Sequence, residues 1–115
     1  MITANIHHMK LYNDSFESIK NKTKTIEMRL NDEKRSVIKI ADIIIFTNTT
    51  TLEQLKVKVI NLYRYDNFDQ LYENHDKISI GYKKDEIANP QDMLNYYSKE
   101  MIAIYGVLAI EIKTI

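Results

Sequence analysis

The chain has 115 residues, 44% hydrophobic and 28% charged, with 16 basic residues balancing 16 acidic ones. That is an ordinary globular composition, and residues 1–115 are expected to form one domain around one core. No apolar run approaches the ~20 residues of a membrane span, and the N-terminus carries no basic-then-apolar leader. Zero cysteines exclude disulfides, thiolate metal sites and a cysteine nucleophile, and make a reducing cytoplasm the expected setting. The charge is unevenly spread: Lys20 to Lys39 holds seven basic and three acidic residues, a local excess of +4 suited to a phosphate-bearing partner.

Ile6 to Leu11 reads as a short strand with His7, Met9 and Leu11 on one face. Asp14 with Glu17 three positions on resembles a capping box, and Phe16 and Ile19 give the following helix an apolar side. A strand from Thr25 to Leu30 comes next. Alternation sends Thr25, Glu27 and Arg29 to one face and Ile26, Met28 and Leu30, which read as core, to the other. The first set has two readings. It is a solvated face whose Glu–Arg pair is worth under ~1 kcal/mol, or it lines a cleft where Arg29 takes up an anion and Glu27 accepts from a donor. Lys24 falls on the opposite face and reaches the other two only from a frayed strand start.

The charged turn Asn31-Asp32-Glu33-Lys34-Arg35 leads to Val37, Ile38 and Ile40. Ile43 to Phe46 is a continuous apolar run, as expected of a strand buried on both faces. Leu55 to Tyr63 alternates as a half-buried strand, with Leu55, Val57 and Val59 on one side. Phe68, Leu71 and Tyr72 share helical spacing, and Asn89-Pro90-Gln91-Asp92 is a strong helix start. Ser98 recaps a second helical segment that Gly106 ends, and Val107 to Ile115 closes as a strand with Leu108, Ile110 and Ile112 inward. Strands with helices inserted between them give an α+β domain built on a small curled sheet or barrel. His7, His8 and His75 are too scattered to form a ligand set, so no metal site is expected, and His7 reads as a hydrogen-bonded residue at the edge of the core.

His7-x-Met9-x-Leu11, Phe16, Ile19, Lys24-x-x-Glu27-x-Arg29 and Asp42 ahead of an apolar strand together resemble the ASCH domain (activating signal cointegrator homology), of the PUA-like superfamily. Leu30 to Arg35, Tyr96 to Glu100 and Tyr105 to Leu108 are similar to a bacterial branch of stand-alone ASCH proteins. The resemblance implies a PUA-like small mixed β-barrel with flanking and inserted helices, and a cleft beside the first helix where Lys24, Glu27 and Arg29 gather. Arg35, in the turn that follows, joins them as a candidate ligand-binding residue.

The resemblance further implies an RNA- or nucleotide-binding module. Lys24 and Arg29 would meet phosphate, Glu27 would accept from a base amino group, and one of Tyr63, Tyr65, Tyr82, Tyr96 and Tyr97 would stack on the base. Most of these tyrosines are expected at the rim of the core with wet hydroxyls. The alternatives are a ribonuclease, or a small hydrolase of a modified nucleoside, resembling an amidohydrolase of acetylated cytidine, with Lys24 and Glu27 as its catalytic pair. That chemistry wants a threonine where Glu27 stands, and flanking cations would make Glu27 a poorer base. No cofactor and no membrane partner are expected, and oligomeric state is left open. Lys22, Ala41 and Ala109 stand where the resembled family has glycines, a costly change wherever φ is positive, and Asn21 is placed to absorb such a turn beside Lys22.

Overall fold

The computed structural model describes residues 4–115. Five strands, β1 (Ile6–Leu11), β2 (Ile26–Leu30), β3 (Ile43–Asn48), β4 (Gln54–Tyr65) and β5 (Val107–Thr114), form one sheet in the order β1-β3-β4-β5-β2. β1 runs parallel to β3 and every other pair is antiparallel. The sheet curls into a half-barrel that leaves β1 and β2 as its edges. One side chain bridges them: Arg29 on β2 donates from Nη2 to the Lys10 carbonyl on β1 at 2.8 Å. Helices α1 (Asn13–Lys20), α2 (Phe68–Asn74) and α3 (Lys99–Tyr105) and a 3-10 helix, Pro90–Asn95, complete the α+β architecture.

Two apolar clusters share β5. Inside the curl, Phe16 and Ile19 of α1 pack on Met9, Leu11, Ile44, Phe46, Val57 and Val59 and on Leu108, Ile110 and Ile112 of β5. On the other face, Val107 and Ala109 join Ile26 and Leu30 of β2 beneath Phe68, Leu71, Ile80 and Met93. The strand buried on both faces is therefore β5. β3 alternates instead, with Ile44 and Phe46 buried and Ile43 and Ile45 half-buried, because no helix covers its outer side. The alternation of β4 holds as far as Val59. A register shift between Val59 and Asn61 then turns Leu62 inward in place of Asn61.

Local chemistry explains most of the helix ends. Asn67, Asn89 and Ser98 each accept a backbone N–H of the following turn. The Asp14–Glu17 capping box does not form: Tyr12 occupies the cap position and α1 has no side-chain cap. Gly106 ends α3 at φ +70°, where a Cβ would lie 2.8 Å from the Tyr65 carbonyl oxygen. Lys22 (φ +71°) and Ala41 (φ +79°) adopt left-handed backbone, so these two replaced glycines carry a conformational cost, whereas Ala109 sits in regular strand. Asn21 stays right-handed at φ −84° and helps only through Oδ1, which accepts from Thr23 N and Thr23 Oγ1.

Candidate functional site

Register explains why Glu27 is buried and Arg29 half-buried. Glu27 lies opposite Ile110 and Arg29 opposite Leu108, so both point into the curl while Ile26 and Leu30 face the second cluster. They fill the seam between β1 and β2, where the half-barrel lacks a backbone ladder. The face is not a solvated one: Glu27 is buried and Arg29 half-buried.

Lys24 reaches the same point. It lies two residues before β2, outside strict alternation, and its side chain runs back along the backbone of Gly81. A Cβ at Gly81 would come within 3.2 Å of Lys24 Cδ, and the φ of +114° there is one that side-chain-bearing residues avoid. Lys24 Nζ lies 3.1 Å from Glu27 Oε1 and donates to Ser15 Oγ of α1 at 3.4 Å. Arg29 donates to Glu27 Oε2 from Nε at 2.9 Å, with Nη2 2.8 Å from the same oxygen. Met28 N–H adds a donor to Oε1 at 3.3 Å. Burial alone would push the Glu27 carboxyl up; Lys24 and Arg29 outweigh it and hold the group below the usual carboxylate range. Burial likewise works against the Arg29 cation, and Glu27 with the Tyr97 phenol more than restores it.

The triad forms the floor of a cleft of about 430 Å³ between β2, the start of α1 and the 3-10 helix. Tyrosines make its walls. Tyr12 and Tyr96 are largely exposed at the mouth, ring centroids 6.3 Å apart. Deeper, Tyr97 stacks on Phe68, and Tyr72 and Tyr82 meet edge to face. The Tyr72 and Tyr82 hydroxyls lie 2.9 Å apart, and Tyr82 donates to Asp92 Oδ2 at 2.7 Å. Burial pushes the phenols of Tyr72, Tyr82 and Tyr97 up, so all three act as neutral hydrogen-bonding groups.

Of the candidates read from the sequence, Lys24, Glu27 and Arg29 are thus brought together and Arg35 is not. Arg35 pairs with Asp32 at 2.7 Å and is not among the residues lining the cleft. Tyr82, Tyr96 and Tyr97 line it; Tyr63 and Tyr65 lie elsewhere, hydrogen-bonded to Glu111 and His75. Their hydroxyls are partnered rather than left to water. Lys10, Tyr12, Ser15, Tyr72 and Gly81 escaped the sequence reading. Only Gly81 carried a signal: a chain with two glycines spends each where backbone geometry demands it. His7 Nε2 donates to Asp42 Oδ2 at 2.8 Å, as a hydrogen-bonded residue at the core's edge. Among the described residues, no three His, Asp or Glu side chains are grouped to hold a metal ion.

The molecule thus presents a curled PUA-like sheet with a charged, tyrosine-walled cleft beside its first helix. Residues 9–115 match the family model of the ASCH domain, and the chain belongs to that family. The crystal structure of hypothetical protein PH0355 is 34% identical over 96% of this chain and 99% of that one, with a TM-score of 0.81. The solution structure of PF0455 from Pyrococcus furiosus is 33% identical over 96% and 97%, with a TM-score of 0.74. An S128A mutant of ZmASCH from Zymomonas mobilis shares the fold, at a TM-score of 0.70 over 98% of this chain and 70% of that one, with only 10% identity. No curated protein matches the chain.

Proposed function

We propose that this ASCH protein binds a nucleotide, or one nucleotide of a single-stranded RNA, in the cleft above Lys24, Glu27 and Arg29. One observation carries the reading: a buried lysine and a half-buried arginine share one buried carboxylate at the cleft floor. Buried charge is costly unless balanced, so the excess positive charge favours an anionic ligand group, and a phosphate suits the guanidinium and ammonium donors. Tyr12 and Tyr96 at the mouth offer exposed faces for stacking a base. The cleft volume of about 430 Å³ lies in the range of small-ligand sites.

Binding is favoured over hydrolysis because both Glu27 oxygens already hold donors and its carboxyl is held low, which weakens it as a base on water. The reading treats residues 1–115 as one domain and places it in the cytoplasm, in keeping with a chain free of cysteine. No described helix is long and apolar enough to cross a membrane.

Titration of mononucleotides and a labelled 12-nucleotide RNA tests the proposal. Tyr96→Ala, at an exposed position, is expected to weaken binding by about 5- to 150-fold, the span of one base–aromatic stack. Affinity unmoved by Tyr96→Ala and by Lys24→Ala with Arg29→Ala would remove the site. Turnover of N4-acetylcytidine would reinstate the hydrolase.

A further inference from the structure

Away from the cleft, the outer face of the sheet carries a second set of cations. The register places Lys58 of β4 directly opposite Lys113 of β5, and Lys56 follows two residues away on the same face. Ile43 and Ile45 of β3 lie beside Lys58 and Lys56. Lys10 projects from the same face of β1, in the row of Thr47 and Gln54. Lys10, Lys56, Lys58 and Lys113 are all exposed, and none has an ion-pair partner among the described residues. β1, β3 and residues 54–60 contain no aspartate or glutamate at all.

Like charges facing each other across an antiparallel pair destabilise a sheet, so the Lys58–Lys113 pair works against the fold that carries it. Glu111 precedes Lys113 by two residues on this face but hydrogen-bonds Tyr63, and an array of lysines without ion-pair partners among the described residues is complementary to a chain of phosphates. The half-buried isoleucines between them add an apolar surface for sugars or bases. Lys10 also lines the cleft, so the two surfaces are continuous.

We infer that the outer face of β1, β3 and β4, with Lys113 of β5, binds the phosphodiester backbone of a single-stranded RNA whose path continues past Lys10 into the cleft. The inference rests on the proposed cleft reading for the nucleotide that enters it, and extends that reading from a single nucleotide to a strand.

The test is the combined variant Lys56→Gln, Lys58→Gln, Lys113→Gln, probed with a 12-nucleotide RNA, with CMP and with phosphatidylserine vesicles between 50 and 200 mM KCl. Each phosphate contact on a single strand contributes about 0.7 to the slope of log affinity against log salt. The variant is therefore expected to lose about 2 from the magnitude of that slope and at least ten-fold in RNA affinity, with CMP binding unchanged. Its urea midpoint is expected to be no lower than the parent's, since a like-charge pair has been removed. RNA affinity and salt slope equal to the parent's would overturn the inference. So would a variant that loses vesicle binding while keeping RNA. RNA binding lost in the variant, with no CMP binding even by the parent, supports the face and removes the cleft reading instead.

Discussion

Replacing Glu27 by Gln tests whether the cleft floor is a buried ionic unit. The carboxylate is 4% exposed, with Lys24 Nζ at 3.1 Å and Arg29 Nη2 at 2.8 Å. At an effective dielectric of 20 these separations correspond to gross attractions of about 5 and about 6 kcal/mol. The neutral amide is cheaper to bury and keeps one oxygen for the guanidinium, which offsets part of the loss. Removing one partner of a buried pair generally costs about 3–5 kcal/mol. That is a large share of the roughly 5–15 kcal/mol available to a domain, so Glu27→Gln is expected to lower the urea midpoint by 1 M or more. The pH dependence has a definite sign. The folded carboxyl is held below its ordinary value, so its stabilisation is complete above the unfolded value of about 4.3 and fades as pH falls through the depressed folded value. Urea titrations of parent and variant should therefore differ most at pH 6–7 and converge as pH drops below about 4. A gap under about 1 kcal/mol at pH 7, or one that stays constant into acid, would show that shape rather than charge holds the floor together.

Three further outcomes follow from particular positions. Ala41→Gly should stabilise the protein by about 0.5–1 kcal/mol in thermal or urea unfolding, because relief of left-handed strain exceeds the entropy glycine adds; an unchanged midpoint would mean φ +79° costs nothing there. Gly81→Ala should cost about 1–2 kcal/mol through its positive φ and also weaken nucleotide binding, since the new Cβ presses on the Lys24 stem; calorimetry showing full affinity would separate Lys24 from the ligand. Lys58→Glu should gain about 0.2–1 kcal/mol by pairing with Lys113 while RNA affinity falls, and a loss of stability would contradict the like-charge reading.

Faces were the legible part of the sequence. Met9 and Leu11, Phe16 and Ile19, and Val57 and Val59 are all buried as their periodicity implies, because one-sided elements need only local pattern. What pattern misses is the partner on the second face. Ile43 to Phe46 looked doubly buried by composition, yet burial on both faces fell to β5, whose second covering layer comes from α2 and the 3-10 helix far along the chain. The site shows the same limit. Glu27 and Arg29 were placed on one face correctly, but whether that face was wet or buried depended on the seam between β1 and β2. Lys24 joined them through the loop around Gly81, which no alternation rule describes. Tyr12 and Ser15 reached the cleft by sitting at the start of α1, a matter of helix placement rather than motif.

Charge shows most sharply why a linear count misleads. The basic excess between Lys20 and Lys39 pointed to a phosphate-binding surface, but much of it is consumed internally: Lys20 pairs with Glu53, Lys24 and Arg29 with Glu27, and Arg35 with Asp32. The unpaired array is assembled from Lys10, Lys56, Lys58 and Lys113, far apart in sequence and joined only by the sheet register. A formally neutral chain can still present a cationic face, because several of its acids pair with cations elsewhere: Glu27 with Lys24 and Arg29, Asp32 with Arg35, and Glu53 with Lys20. Moving one acid onto the bare face, as Lys58→Glu does, should stabilise the fold and weaken the strand-binding surface together. That opposition distinguishes a face kept basic for a ligand from one that is basic by accident.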